Sequence, residues 1–336
     1  MLILKDIAVE VESIITKIRQ VSSEEEVFVA FSGGLDSTVV LLLTKQALGH
    51  DRVMAVNVDF GLFTYDSARQ NVNELCAEMQ VKLERISGEL YQRQMMKGGP
   101  DCNLCTRKIK LGLIKAYAGP KLVFTGSNQS DSWGKYGTDF SAGYYAPLFH
   151  YSKGEIGRIA DYLDLKIKRI GENVSREGCK LKHLLKPLVN LSYHGRAVSL
   201  ANEILLQQIS ELNLNAEIAN VKVIGPLNKN IALINIFPLP ADDRHLKIIY
   251  NNIASVMEID SCSIVNQPLQ LTIKADKGQF NNLRSRYWIE QGRLQPEFAS
   301  LLKFKWLLTT NSRLKTFQVV DYNYIKENES YLVKKR

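Results

Sequence analysis

The sequence predicts an α/β fold, a doubly wound parallel sheet followed by a smaller α+β domain. Two observations carry the first part. Short apolar runs rich in Val, Ile and Phe alternate with segments of helical periodicity, and a glycine-rich turn, "SGGLDS", joins the first apolar run to a helix. A third observation carries the second part: from about Ala197 the strict alternation gives way to helices and strands in no fixed order. The expected division is an N-terminal helix over 1–20, a main domain with a cysteine-bearing insertion over 21–190, and an accessory or substrate domain over 197–330.

The elements follow in order. "MLILKDIAVEVESIITKIRQ" mixes apolar residues with Lys5, Asp6, Glu10 and Glu12, as an amphipathic helix does, and holds neither a signal peptide nor a membrane span. Val27 to Phe31 is uncharged and too short for a helix, so it reads as a strand buried on both faces. Thr38 to Leu48 has helical spacing. "RVMAVNVDFG", "SARQNVNELCAEMQV" and "KLERIS" then read as strand, helix and strand, the rhythm of right-handed parallel crossovers. Residues 88–112 form a turn-rich insertion leading into a basic helix, Lys121 to Thr125 a buried strand, and "APLFHYSKGEIGRIADYLDL" a turn feeding a helix. Residues 172–196 are basic and interrupted, as a hinge would be. Beyond them "AVSLANEILLQQISEL", "NVKVIG", "NIALINIF", "ADDRHLKIIYNNIASV" and "LQLTIKA" read as helix, two strands, helix and strand.

The turn after the first strand carries the chemistry. Gly33 and Gly34 remove side chains where a ligand must approach backbone amides, and the following helix points unpaired N–H groups and its positive dipole end into the same space. An anion fits there. Ser32 and Ser37 add hydroxyl donors, while Asp36 would repel phosphate unless it caps the helix or holds a divalent cation. Magnesium with a polyphosphate is the expected ligand. No lysine follows the second glycine, so the G-x-x-x-x-G-K-[ST] loop is excluded.

"SGGLDS" resembles the S-G-G-x-D-S loop of the PP-loop ATP pyrophosphatases, the adenine nucleotide alpha hydrolases, whose fold is Rossmann-like of the HUP type. The resemblance implies that ATP with Mg2+ binds at Ser32, Gly33, Gly34, Asp36 and Ser37, and that AMP is transferred to a substrate oxygen. Asp59, at the end of the second strand, would lie beside the adenosine or serve as a simple helix cap. The segment "GSNQSD" resembles the G-H-N-x-D-D stretch of tRNA-thiolating relatives at Gly126, Asn128 and Asp131. Ser127 and Ser130 depart from it, so Gly126 is expected at the ATP while the loop as a whole reads equally as a polar wall of the cleft.

Cys102 and Cys105 form C-x-x-C, and Cys179 stands beside a glycine at the hinge. Two thiols at that spacing can serve one metal centre. The set resembles the three cysteines of iron-sulfur PP-loop enzymes of the tRNA 2-thiocytidine and 2-thiouridine synthetase families and of sacrificial sulfur transferases, which implies a [4Fe-4S] cluster with one open iron. Zinc on the same cysteines and His183, or thiol and persulfide chemistry without metal, are the alternatives. Cys76 and Cys262 fall in apolar patterns and read as small buried residues.

With 336 residues, 43 Lys+Arg against 35 Asp+Glu and a formal net charge of +8, the chain suits an anionic partner. Arg107, Lys108, Lys110, Lys180, Lys182 and Lys186 would track an RNA backbone or form solvated helix faces. Five cysteines and no leader point to a reducing, cytoplasmic setting. The expectation is therefore an ATP-dependent sulfur-insertion enzyme with Asp36, Cys102, Cys105 and Cys179 as catalytic residues. Its acceptor would be a tRNA base or a small molecule, supplied by a sulfur donor, away from membranes, with a homodimer compatible with the chain. The rivals are an amidoligase of the 7-cyano-7-deazaguanine synthase type, a sacrificial sulfur transferase for a small cofactor, and a non-catalytic ATP- or RNA-binding module.

Overall fold

The computed structural model describes residues 2–22, 26–130, 140–168 and 179–325. The chain divides into two compact units. The first takes the chain up to Glu89 and resumes at Leu104; the second takes Leu90–Asn103 and the described chain from Cys179 onward.

The first unit is the expected doubly wound sheet. Helix α1 (Leu2–Val21) buries Ile7, Val11, Ile14, Ile15 and Ile18, one face at helical spacing. Strand β1 (Val27–Ala30) is buried nearly throughout and pairs in parallel with β2 (Val53–Asp59) on one side and β4 (Val123–Phe124) on the other. Helix α2 (Leu35–Leu48) joins β1 to β2, and α3 (Asp66–Glu78) joins β2 to β3 (Lys82–Ser87). The sheet order is β3-β2-β1-β4-β6-β5, where β5 is Phe140–Ser141 and β6 is Tyr144–Tyr145. The first five in that order run parallel, and β5 turns back antiparallel on β6.

Strand order therefore reverses between β1 and β4. In open α/β sheets this is where a crevice opens at the carboxyl ends of the strands, and the glycine turn leaves β1 there. Val29, Phe31, Val39, Leu41, Leu43, Ala55, Phe124 and Ile156 join the core beneath it. Two helices complete the unit: α5 (Leu111–Ala118), preceded by a π-turn over Cys105–Lys110, and α6 (Lys153–Tyr162). Between β3 and that π-turn lies α4 (Glu89–Met96), a helix inside the stretch expected to be turns. Gln92 and Met96, one helical turn apart, supply its buried stripe.

The second unit is the expected α+β assembly. Helix α7 (Arg196–Glu211) packs on β7 (Ile218–Ile224), which pairs antiparallel with β8 (Ile231–Phe237); β9 (Ser261–Ile264) adds to β8 in parallel, after α8 (Asp243–Ala254). A second three-stranded sheet places β10 (Leu269–Ala275) between β11 (Leu302–Leu308), parallel to it, and β12 (Phe317–Tyr324), antiparallel to it. Leu233, Leu269, Leu271, Ile273, Phe317 and Val319 share one core. No described helix is long and apolar enough to cross a membrane.

Candidate functional site

The turn after β1 is built to present amides. Phe31 closes the sheet by donating its N–H to the Val56 carbonyl at 2.9 Å, and Asn57 Nδ2 donates to the Phe31 carbonyl at 2.8 Å. The chain then reverses at Gly33, whose φ of +75° lies in the left-handed region that favours glycine. A Cβ there would stand 2.7 Å from Asn71 Nδ2. That amide donates instead to the Gly33 carbonyl at 3.1 Å, so α3 clamps the turn.

Gly34 is the N-cap of α2 and offers no side chain to it. The first intrahelical bond runs from Thr38 N–H to the Gly34 carbonyl at 3.0 Å. The N–H groups of Leu35, Asp36 and Ser37 therefore lack helical acceptors and face the turn with the positive end of the helix. Ser32 and Ser37 hydroxyls lie 3.1 Å apart, and Ser37 donates to the Gly34 carbonyl at 3.0 Å. Ser32, Gly33, Gly34 and Ser37 thus share one turn with the unspent N–H groups of a helix start, the arrangement that suits an anion.

Asp36 stands at its rim. Its Oδ2 accepts from Asn128 Nδ2 at 3.2 Å and from Lys153 Nζ, while its Oδ1 is buried without a hydrogen-bond partner among the described residues. A carboxylate with one oxygen tied and one open suits a divalent cation bridging to phosphate, and these residues fit Mg2+. Gly126 packs on the same turn: a Cβ on it would sit 2.9 Å from Ser37 N and 3.0 Å from the Asp36 carbonyl carbon. Asp131, the last residue of the expected "GSNQSD" match, lies outside the described residues.

Sequence reasoning matched Asn128 to the "GSNQSD" stretch without giving it a role, and did not single out Lys153. Lys153 had a legible signal: "SKGE" is a capping box, with the Ser152 hydroxyl accepting from Glu155 N–H and the Glu155 carboxylate accepting from Ser152 N–H. That box starts α6 at Lys153 and so aims a lysine at the site from a strand-to-helix turn. Asn128 orients itself through its Oδ1, which accepts from Ser130 N–H at 2.9 Å.

Asp59 ends β2 and is already engaged. Its carboxylate accepts from Arg69 Nε at 2.7 Å, from Arg69 Nη2 at 3.1 Å and from Gly61 N–H at 2.8 Å. Burial alone would raise its pKa, but the Arg69, Gly61 and Thr64 hydrogen bonds and the nearby guanidinium outweigh burial and hold it below the usual carboxylate range. In this structure Asp59 locks the turn following β2, which makes it a brace of the crevice wall.

The cysteines are distributed between the units. Cys105 opens the π-turn of the first unit and is buried. That turn leads to the site side of the sheet, since Lys110 Nζ sits 5.6 Å over the Phe60 ring just past β2. Cys102 and Cys179 belong to the second unit, where Gln92 Nε2 donates to Cys179 Sγ at 3.6 Å. Among the described residues no group of three or more His, Cys, Asp or Glu side chains is gathered as a metal site. The expected [4Fe-4S] cluster on Cys102, Cys105 and Cys179, and the alternative zinc site with His183, therefore have no gathered donor set among the described residues. His183 is fully buried with Nδ1 against Lys222 Nζ at 2.9 Å, a hydrogen bond that occupies the nitrogen. Cys76 and Cys262 are buried or half-buried, and burial pushes both thiols up to about 12, as small core residues would be.

The basic segment after Cys179 is also inward. Lys180 is buried and paired with Glu203 at 2.7 Å, and Lys186 is buried with its ammonium on the Pro226 and Lys229 carbonyls at 2.9 and 2.8 Å. Neither tracks an RNA backbone. Arg107 and Lys108 of the π-turn are exposed.

Residues 5–131 match the PP-loop domain family. Over 91 residues the chain is 33% identical to the glutamine-hydrolyzing GMP synthase of Hydrogenovibrio crunogenus, covering 27% of this chain and 17% of that protein. Over 153 residues it is 29% identical to the glutamine-dependent NAD(+) synthetase of Xylella fastidiosa, covering 41% and 28%. Over 114 residues it is 34% identical to the pyridinium-3,5-bisthiocarboxylic acid mononucleotide synthase of Lactiplantibacillus plantarum, covering 32% and 40%. The matched stretches thus span from about a sixth to two fifths of these relatives. Among solved structures, the NH3-dependent NAD synthetase of Campylobacter jejuni is 25% identical with a TM-score of 0.38, covering 48% of this chain and 74% of that one.

Proposed function

We propose, for a chain whose residues 5–131 are a PP-loop domain, an AMP-forming, ATP-dependent synthetase that activates a substrate oxygen and then replaces it with sulfur. The acceptor we propose is a carbonyl of a tRNA base or of a small molecule. The observation that carries the reading is the turn of Gly33 to Ser37, with helix N–H groups unspent and the Asp36 Oδ1 without a hydrogen-bond partner among the described residues beside them.

In the first step the β- and γ-phosphates of ATP lie on the amides of Leu35, Asp36 and Ser37 and the hydroxyls of Ser32 and Ser37. The substrate oxygen attacks the α-phosphorus, the bond from that phosphorus to the bridging oxygen breaks, and pyrophosphate leaves with its charge spread over donors already in place. Mg2+, held by Asp36, would neutralise phosphate charge when bound. Lys153, paired with Asp36 in the structure, would offer a second positive charge to the same phosphates. In the second step a sulfur nucleophile attacks the activated carbon; the carbon–oxygen bond breaks and AMP departs carrying the substrate oxygen. Adenylation turns a poor leaving group into a good one.

Sulfur is supported by the half-exposed thiols of Cys102 and Cys179 and by the relative whose name places a bisthiocarboxylic acid in its product. A second reading, nitrogen as nucleophile, is supported by the GMP and NAD synthetase relatives. Turnover of ATP to AMP and pyrophosphate, measured with sulfide and with ammonia as competing nucleophiles, tests both. Release of ADP and phosphate instead, or no acceptor-dependent AMP with either nucleophile, would overturn the proposal.

A further inference from the structure

The second unit raises a question that the ATP half leaves open, which is what its buried charges are for. Arg293 is 7% exposed, yet lies among apolar neighbours with its guanidinium 5.3 Å over the Phe317 ring. Its Nη1 donates to the Pro100 carbonyl at 3.4 Å and its Nη2 to the Lys182 carbonyl at 3.5 Å. Pro100 stands two residues before Cys102. Lys182 closes the turn that begins at Cys179, its N–H donating to the Cys179 carbonyl at 3.3 Å. One planar guanidinium therefore spans the backbones of both cysteine-bearing stretches.

The surrounding contacts agree. The Leu90–Asn103 stretch is sewn to the second unit at Met96, whose carbonyl accepts from Leu188 N–H at 2.9 Å, and at Gly98, whose carbonyl accepts from Lys315 N–H at 2.8 Å. Gln92 reaches Cys179 Sγ itself. Beneath the Cys179 turn, Lys222 joins His183 Nδ1 to the Glu297 carboxylate, and the charges of Lys222, Lys182 and Arg293 surround that carboxylate. For stability alone, apolar side chains of the same volume would do as well as buried ions. What an arginine adds is a rigid fork of donors able to grip two carbonyls at once, which lysine's single ammonium on a flexible stem does not reproduce.

We infer that Arg293 is a positioning residue: its guanidinium holds the backbones of the Cys102 and Cys179 stretches in one register within the second unit. The inference rests on the sulfur reading given above for what the thiols do, but the register itself is a property of the second unit. Cross-linking the full-length protein with a short bismaleimide, followed by peptide mapping, reads the register directly. Wild type is expected to yield a Cys102–Cys179 link; Arg293→Gln and Arg293→Lys are expected to lose most of it while the melting temperature of Arg293→Lys stays close to wild type. In the enzyme assay, kcat for the sulfur step is expected to fall between about tenfold and a hundredfold, as for a misplaced reacting group, with KM for ATP and pyrophosphate formation unchanged.

Three results overturn the inference. They are the absence of a Cys102–Cys179 link in wild type, wild-type linking and turnover in Arg293→Lys, or a loss in Arg293→Lys that affects pyrophosphate formation and melting temperature equally. If wild type forms no AMP at all, the synthetase proposal fails by itself, and the linking yields still decide the role of Arg293.

Discussion

Gly126→Ala adds one methyl group at the place where the site is tightest. Gly126 has no left-handed φ, so its own backbone accepts alanine without strain. The obstacle is the turn opposite: the new Cβ would stand 2.9 Å from Ser37 N, 3.0 Å from the Asp36 carbonyl carbon and 3.1 Å from Asp36 Cβ, where ordinary contact begins near 3.4 Å. Two of those three atoms are main chain, so no side-chain rotation relieves them. The start of α2 must retreat by about half an ångström, carrying the amides of Asp36 and Ser37 with it. Overpacking of this kind costs about 1–3 kcal/mol of stability. Displacing the phosphate seat is expected to lower kcat/KM for ATP by about ten- to a hundredfold. Gly157→Ala, in the interior of α6 with nothing within 4 Å of its Cβ, is the matched control and is expected to gain roughly 0.5–1 kcal/mol from helix propensity. Pyrophosphate release, measured well below each variant's melting temperature, reads the effect. Wild-type ATP kinetics in a folded Gly126→Ala protein would refute the placement of the phosphates on this turn.

Three further outcomes follow from the same geometry. Asp36→Ala is expected to leave the melting temperature close to wild type and to reduce pyrophosphate formation by three orders of magnitude or thereabouts, since removal of one preorganised electrostatic group costs about 10²–10³ and the cation is lost as well; single-turnover ATP cleavage measures it. Glu297→Gln leaves Lys222 buried without its counter-charge and is expected to cost about 3–5 kcal/mol in urea unfolding. Burial alone would raise the Glu297 pKa, but Lys222, Lys182 and Arg293 hold it at about 2; its stabilisation is therefore present above the ordinary carboxylate pKa and is lost as pH falls toward 2, so an acid titration of stability should be flatter in Glu297→Gln over that window. Arg69→Ala unties Asp59 and the Gly61 carbonyl, and is expected to raise KM for ATP severalfold with a stability loss of about 1–2 kcal/mol, read by ATP titration and thermal melting.

How much of this was legible in the chain differs between its parts. The parallel sheet was, because its central strand Val27 to Ala30 is a continuous apolar run and the N-terminal helix keeps one apolar face from Ile7 to Ile18. The strand expected over Lys121 to Thr125 is regular at Val123–Phe124, with Leu122 and Thr125 still bonded to Phe28 and Tyr145 of its neighbours. The helix expected from Thr38 begins at Leu35, because Gly34 serves as its cap and the motif itself is the first turn. The α4 helix hid behind Gly98, Gly99 and Pro100, which dominate a reading of local turn chemistry although they lie after it. The turn at Ser32 to Ser37 was legible because its chemistry is local, and Asn128 was legible in the "GSNQSD" match, whereas Lys153 reaches Asp36 only across the sheet. Buried lysines defeated the reading of charge: Lys180, Lys186 and Lys222 look like surface residues in a string of letters and are interior ones in the fold.

The distribution of cysteines then changes what the second unit is for. Read as sequence, the C-x-x-C belonged to an insertion of the ATP-binding domain, and the distal domain had no chemistry of its own. In the fold the insertion up to Asn103 is built on the second unit, fastened at Met96, Gly98 and Pro100, while the π-turn that starts with Cys105 returns to the first. The two thiols of the C-x-x-C thus fall in different compact units, Cys102 with the second and Cys105 with the first, and the chain passes from one to the other between Asn103 and Leu104. Lengthening that junction by a single glycine after Cys102 separates the two roles. Pyrophosphate formation, proposed to take place on the turn Ser32 to Ser37 of the first unit, should persist at its wild-type rate. The linked step that consumes the adenylate should fall by about a hundredfold. Equal loss of both steps would mean that the two halves do not divide the reaction in this way.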